Sequence, residues 1–260
     1  MLIASSSRPL SKVRTSLPSG ARTQIGIFLF AYLLYSAARY LTIGDLGTAK
    51  ANADWIVDLE HGLGVASEAS VQDALTGTWV LWLLNHLYLA AQLVVLPGSL
   101  IFLYRRSRPL YELLRNTILA TWLISIPIYA AFPVAPPRLA DMGLEDTISS
   151  QTGVALDSSL TTSFYNELAA VPSLHVGFAV VVGLAIAAAV RNPVVKLLAW
   201  LWGPAIGLAV LATGNHFVFD IAAGVVAAAL GYLLGTLAAR PRTRRPRPAR
   251  RVLRPAFAGA

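Results

Sequence analysis

Six runs of largely apolar residues, each long enough for a helix to cross a bilayer, constrain this chain more than any other feature. They fall at about Gln24 to Ile43, Trp79 to Tyr104, Thr117 to Val134, Val171 to Val190, Val194 to Ala212 and Phe217 to Ala239. A helix rising about 1.5 Å per residue needs about 20 residues to cross the hydrocarbon, and it satisfies its own backbone there. Composition agrees: 56% of the residues are hydrophobic and 13% charged, against about 25% charged in a soluble domain. Mean hydropathy is +0.61. This balance excludes a single water-soluble globule. The predicted fold class is all-α, a polytopic membrane helical bundle with six transmembrane helices. It divides into a basic cytoplasmic segment at 1–23, a six-helix membrane domain at 24–239 and an Arg/Pro-rich tail at 240–260. The first run has a basic flank and a small-residue stretch, Ser36-Ala37-Ala38, as a cleaved secretory signal would. Its apolar character continues past that stretch, so an uncleaved first helix is expected.

Charge assigns the sides. Arg8, Lys12, Arg14, Arg22, Arg105, Arg106, Arg108, Arg115, Arg191, Lys196 and eight arginines from Arg240 onward fall on one side, 18 of the 21 basic residues. The other side has Arg39, Lys50 and Arg138. Basic residues mark cytoplasmic loops, so both termini are expected inside the cell membrane. The tail RPRTRRPRPARRVLRP is expected to be disordered and to touch anionic lipid, and no nucleic-acid partner is expected. Cysteine is absent, which removes disulfides, cysteine zinc sites and thiolate nucleophiles.

Two external segments are long. Gly44 to Thr78 places Trp55, Ile56, Leu59, Leu63 and Ala66 at roughly helical spacing, with Asp54, Asp58 and Glu60 between them, which predicts an amphipathic helix in the interface. Pro133 to Ala170 is too long for a simple connector, as functional loops often are.

The candidate chemistry gathers at the external ends of the spans. In Asn215-His216-Phe217-Val218-Phe219-Asp220, positions i and i+4 share a helix face, so Asp220 reaches one ring nitrogen of His216 and leaves the other facing the loop. A carboxylate held this way fixes the tautomer and raises the ring's basicity. In Val171-Pro172-Ser173-Leu174-His175, proline suits a first helical turn whose free amides make an anion site, with His175 close by to exchange a proton. In Ala135-Pro136-Pro137-Arg138, a planar guanidinium stands as the only cation of its loop, among prolines that restrict it. Eleven of the 13 acidic residues lie on this same external side, which makes Arg138 the stronger candidate for an anionic substrate. His61 and His86 read as structural, and Arg115 falls on the inner side, outside the site.

Together, APPR at 135–138, AAVPSLHVG at 169–177 and ATGNHFVFDIAAG at 212–224 resemble the type 2 phosphatidic acid phosphatase superfamily of membrane lipid phosphatases and phosphotransferases. The likeness is greatest to the branch with the inositol-phosphorylceramide synthases and their bacterial relatives, and it runs from the first span to the sixth. The resemblance implies His216 as a nucleophile that takes the phosphoryl group as phosphohistidine, Asp220 as its orienting group and His175 as proton donor to the leaving oxygen. Arg138 and the region of Ser173 would hold the phosphate oxygens. The chain departs from the superfamily pattern at Ala131, where a lysine is usual, at Val210, where an arginine is usual, and at Leu174, often glycine. Thr213 and Asn215 are the neutral donors left in place of the missing cations. The implied partners are a phosphorylated lipid and a water or alcohol acceptor, with no cofactor and no metal. Water gives a phosphatase and an alcohol gives a transferase, including transfer of an inositol phosphate or another headgroup to a lipid alcohol.

Two other classes compete. Two histidines and a carboxylate also form a common metal-binding set, as in a metal-dependent hydrolase. Arg138 would repel that cation. A lipid permease would line a path with buried polar groups, but it would place them at midplane instead of at one face, and no internal repeat is present.

Overall fold

The computed structural model describes residues 19–41, 44–158, 162 and 166–239. The expectations for the basic segment before residue 19 and the tail from 240 lie outside the described residues. Among those described, the regular structure is helical apart from one isolated bridge, Val134 to Ala169. The α-helices are α1 (Ser19–Leu41), α2 (Leu46–Leu63), α3 (Glu68–Leu75), α4 (Trp79–Ala90), α5 (Leu96–Arg106), α6 (Arg108–Ala131), α7 (Thr147–Thr152), α8 (Leu174–Ala189), α9 (Pro193–Ala212) and α10 (Val218–Ala239). A π-helical turn, Ala91–Val95, joins α4 to α5.

Among the described residues, four stretches are long and apolar enough to cross a membrane: Trp79–Arg106, Arg108–Ala131, Pro193–Ala212 and Val218–Ala238. They correspond to the second, third, fifth and sixth expected runs. The fourth run forms a helix of 16 residues, α8, shorter than expected. Its start is fixed by Ser173, whose extended backbone and hydroxyl cap the amide of Val176 and leave Val171 and Pro172 outside the helix. α1 occupies the first run. The third run also starts earlier than hydropathy indicates. Ser107 is extended, and the proline after Arg108 begins α6 well before Thr117.

The bundle is a helical membrane bundle with its large apolar side chains turned outward. Leu197, Leu198, Trp200 and Leu201 on α9 and Val226, Leu230, Leu233 and Leu237 on α10 are exposed. In water such a surface would drive association, whereas lipid tails are as apolar as these side chains. Small residues lie between the helices. α10 packs along α6 and α8, and α9 along α8 and α4. A methyl group at Gly224 of α10 would run into the carbonyl oxygen of Ser173, and one at Gly177 of α8 would come within 2.8 Å of the Gly224 carbonyl. This close approach is what brings the start of α8 onto the start of α10.

The segment between the first two apolar runs contains the expected amphipathic helix, but with a different inward face. α2 starts at Asp45, whose carboxylate accepts the Thr48 amide at 2.9 Å, and stops at Gly64, whose φ of 69° suits glycine. Its buried positions are Ala49, Ala53, Ile56 and Glu60, while Trp55 and Leu63 stay exposed. Small residues occupy that face because the backbone approaches so closely: the Ala135 amide donates to the Ala49 carbonyl at 3.1 Å. Asn52 adds a bond to the Pro133 carbonyl at 2.8 Å.

Gly224→Ala should lower the melting temperature in detergent, with overpacking costing about 1–3 kcal/mol. Gly207→Ala on α9, where a methyl group would meet nothing within 4 Å, should leave it unchanged or raise it. Equal melting temperatures for the two variants would contradict the packing described.

Candidate active site

The chain reverses direction between α9 and α10 within a few residues. Gly214, at φ 65°, provides the left-handed turn, and the amides of Asn215 and His216 both donate to the Val210 carbonyl at 3.1 and 3.2 Å. His216 therefore stands at the mouth of α10. Its Nδ1 lies 3.2 Å from Oδ2 of Asp220, one turn further on, and the same oxygen accepts the Phe217 amide at 2.9 Å. Asp220 is fully buried and His216 nearly so. With Nδ1 donating to the carboxylate, Nε2 is left with its lone pair.

The start of α8 is tied to this unit through the backbone, since the Ser173 amide donates to the Asp220 carbonyl at 3.0 Å. Tyr129 of α6 supports the preceding residue, its hydroxyl donating to the Pro172 carbonyl at 3.0 Å. His175, in the first turn of α8, has its ring centroid 6.1 Å from that of His216. Tyr88 of α4 stacks on the His175 ring at 4.0 Å and 17°.

Arg138 comes from a short 3-10 turn, Pro137–Leu139. Its amide donates to the Gly214 carbonyl at 2.9 Å and its Nε to Oδ1 of Asn215 at 3.1 Å. Its Nη1 lies 3.8 Å from Asp146 and its Nη2 3.5 Å from Glu167. The guanidinium, with only 2% of the side chain exposed, is thus held in one orientation beside the histidine loop.

The structure brings all six predicted residues, His175, His216, Asp220, Arg138, Ser173 and Asn215, to one end of the bundle. Two of them also make contacts within the protein that the sequence did not indicate. Asn215 gives its oxygen to Arg138 and its amide protons to the carbonyl and hydroxyl of Thr213 at 3.1 and 3.0 Å, so it acts on the site by fixing Arg138. Ser173 uses its amide on Asp220 and its hydroxyl on Val176, which joins α8 to α10. Val210 is fully buried, so no charge stands at that departure from the family pattern. A cleft of about 510 Å³ opens beside Arg138, with Lys50, Asp141, Asn166 and Glu167 in its wall.

His61 and His86 each place Nδ1 at 2.8 Å from a carbonyl one turn earlier on their own helix, as the structural reading requires. Arg115 pairs with Gln24 of α1 and with Asn116 at the opposite end of α6 from the Pro133 turn. Among the described residues, no three His, Asp or Glu side chains are arranged to hold a metal ion.

The model of the PAP2 superfamily matches residues 54–234, well over half of the chain, and the protein belongs to that superfamily. It is accordingly an enzyme of the phosphatase or phosphotransferase type acting on a phosphorylated substrate. No curated protein and no solved structure matches the chain.

Sequence reasoning missed Tyr88, Asp146, Glu167, Glu60 and Glu68. Tyr88 had a faint signal as a hydroxyl inside an apolar run, one helical turn after Asn85. Glu60 and Glu68 had none, because each meets its partner across 150 or more residues, and Asp146 and Glu167 meet Arg138 only through the folding of the long loop.

Arg138→Lys should weaken binding of vanadate or inorganic phosphate about tenfold to a hundredfold, since a single ammonium cannot reproduce a fork held by Asn215, Asp146 and Glu167; charged hydrogen bonds are worth about 1.5–3 kcal/mol. Competition against turnover measures it. An unchanged inhibition constant would remove Arg138 from the phosphate site.

Proposed function

We propose that this protein is an integral membrane lipid-phosphate phosphatase or phosphotransferase that works through a phosphohistidine on His216 at the extracytoplasmic face. The observation that carries this reading is the buried His216–Asp220 pair at 3.2 Å, with a second histidine facing it and a fixed guanidinium beside it. Phosphoryl transfer depends chiefly on positioning and charge stabilisation along an in-line displacement. The four groups provide a nucleophile, its orienting carboxylate, a proton carrier and a cation for the oxygens.

In the first half-reaction, Nε2 of His216 attacks phosphorus and the bond from phosphorus to the alcohol oxygen breaks. His175, protonated, gives its proton to that oxygen as the alcohol leaves. In the second, His175 takes a proton from water or from an alcohol acceptor, whose oxygen attacks the phosphohistidine and restores neutral His216. Tyr88, stacked on His175, holds that ring in place. Proton transfer in both directions by one histidine makes the cycle self-restoring without a cofactor or a metal.

The reading extends to topology. The 18-to-3 distribution of basic residues puts both termini in the cytoplasm and the 133–170 segment outside, with residues 24–239 as the catalytic membrane domain of a multi-pass cell-membrane protein. APPR and the PSLH motif favour the inositol-phosphorylceramide-synthase-like branch, and with it an alcohol acceptor and a headgroup phosphate as donor. The cleft beside Arg138, where Lys50 pairs with Asp141 and Arg138 with Glu167, has room for such a headgroup.

His216→Ala should abolish turnover and the acid-labile, base-stable label trapped from a ³²P-labelled lipid phosphate by rapid quench. His175→Ala should still accept label from an aryl phosphate and lose much more rate on an alkyl lipid phosphate, because one general acid contributes about 10²- to 10⁴-fold. Label retained by His216→Ala, or equal losses on the two substrates in His175→Ala, would overturn these roles.

Turnover should persist in EDTA and be inhibited by vanadate, which mimics the five-coordinate transition state on a histidine. Abolition by the chelator with recovery on adding a divalent ion would favour a metal-dependent hydrolase instead.

A further inference from the structure

The start of a helix presents amides without intrahelical partners. At the start of α10, three of them are occupied by carboxylates. The Phe217 amide donates to Asp220, the Val218 amide to Oε1 of Glu68 at 2.9 Å and the Phe219 amide to Oε1 of Glu60 at 2.6 Å. Glu60 and Glu68 come from α2 and α3, outside the spans, 159 and 150 residues away in sequence. Each is 2% exposed. Glutamates this deeply buried on external helices are costly, and they meet the α10 backbone immediately after the nucleophile.

We propose that Glu60 and Glu68 are positioning residues, which clamp the first turn of α10 from outside and thereby hold His216 and Asp220 in the geometry for phosphoryl transfer. This inference rests on His216 being the nucleophile. The clamp acts on the same turn whose Asp220 carboxylate orients the histidine ring, so a small displacement of residues 217–219 moves both members of the pair. Lost alignment of a reacting group lowers the chemical step more than it lowers binding.

Charge gives the clamp a pH dependence. The charged groups acting on Glu60 are Glu68 from α3 and Asp220 from α10, both acidic. Burial, then the contact with Glu68, pushes the Glu60 carboxyl up from 4.5 to about 8. Its Oε2 is buried without a hydrogen-bond partner, which a neutral acid tolerates far better than a carboxylate. Since the folded protein holds this proton more tightly than the unfolded chain, burying Glu60 costs the fold least at low pH, although the Phe219 amide by itself favours the ionised form. The fold loses stability as pH rises from about 4.5, and Glu60 is fully ionised only above about 8. Ionisation then places a further negative charge beside Glu68 and Asp220.

The test uses the full-length protein in detergent, with turnover expressed per phosphoenzyme-forming site. Glu60→Ala removes the acceptor for Phe219 and should lower kcat about tenfold to a hundredfold with little change in KM. Glu60→Gln keeps a neutral acceptor and should restore much of that kcat. The alkaline fall in kcat should move to higher pH in the glutamine variant relative to the wild type. Matching alkaline limbs in the two proteins would overturn the proposal, as would a Glu60→Ala protein with wild-type kcat per site. If the alanine variant does not accumulate, the pH profile of Glu60→Gln alone decides. A wild-type protein that traps no label on His216 would instead overturn the underlying reading of the nucleophile.

Discussion

A carboxylate with no exposure to solvent persists only if its surroundings supply donors, and the burial of Asp220 organises the catalytic end of this bundle. Its side chain takes the His216 ring and the Phe217 amide, and its carbonyl takes the Ser173 amide. One residue thus joins the helix that follows His216 to the helix that carries His175. The glycines at 177 and 224 are required by that junction, because any larger residue would hold α8 and α10 apart. Breaking the junction would leave the buried Ser173 amide without its acceptor, a loss that costs more than the bond itself contributes.

The bundle around this point follows a logic suited to lipid. With little hydrophobic drive between helices in a membrane, association depends on close packing and on hydrogen bonds. Small faces turned inward and leucine- and tryptophan-bearing faces turned outward meet that requirement in α9 and α10. The helices between the first two apolar runs bury apolar side chains inward instead. They bury Ala49, Ala53 and Ile56 against Val134, Ala135 and Phe217, and so form an apolar layer over the catalytic end.

What was legible in the sequence was whatever is encoded over short range. Apolar runs of spanning length gave the helical bundle, and the four-residue spacing of His216 and Asp220 gave their contact. The side of the membrane shared by the three motifs brought Arg138 and His175 into the same cluster. Tertiary choices were not legible. Hydropathy placed the buried face of α2 on its bulky residues, while the approach of Ala135 selected its alanines. The length of α8 was set by a serine cap that hydropathy does not register. Glu60 looked like the polar face of an interfacial helix and Glu68 carried no signal, because their partners are backbone amides more than a hundred residues away and amides have no sequence signature. Tyr88 is one aromatic residue among several in an apolar run, and only the fold brings it against His175.

Arg138 is bound to the 214–215 turn through both its main chain and its side chain, so the cation and the loop bearing the histidine form one rigid frame. The cleft wall also includes Lys50 on α2 and Asn166 near the end of the long loop, which belong to different segments. Replacing Lys50 or Asn166 would reshape the cleft while leaving the contacts between Arg138 and the 214–215 turn in place, so a lineage built on this plan can vary the cleft without rebuilding the frame beside it.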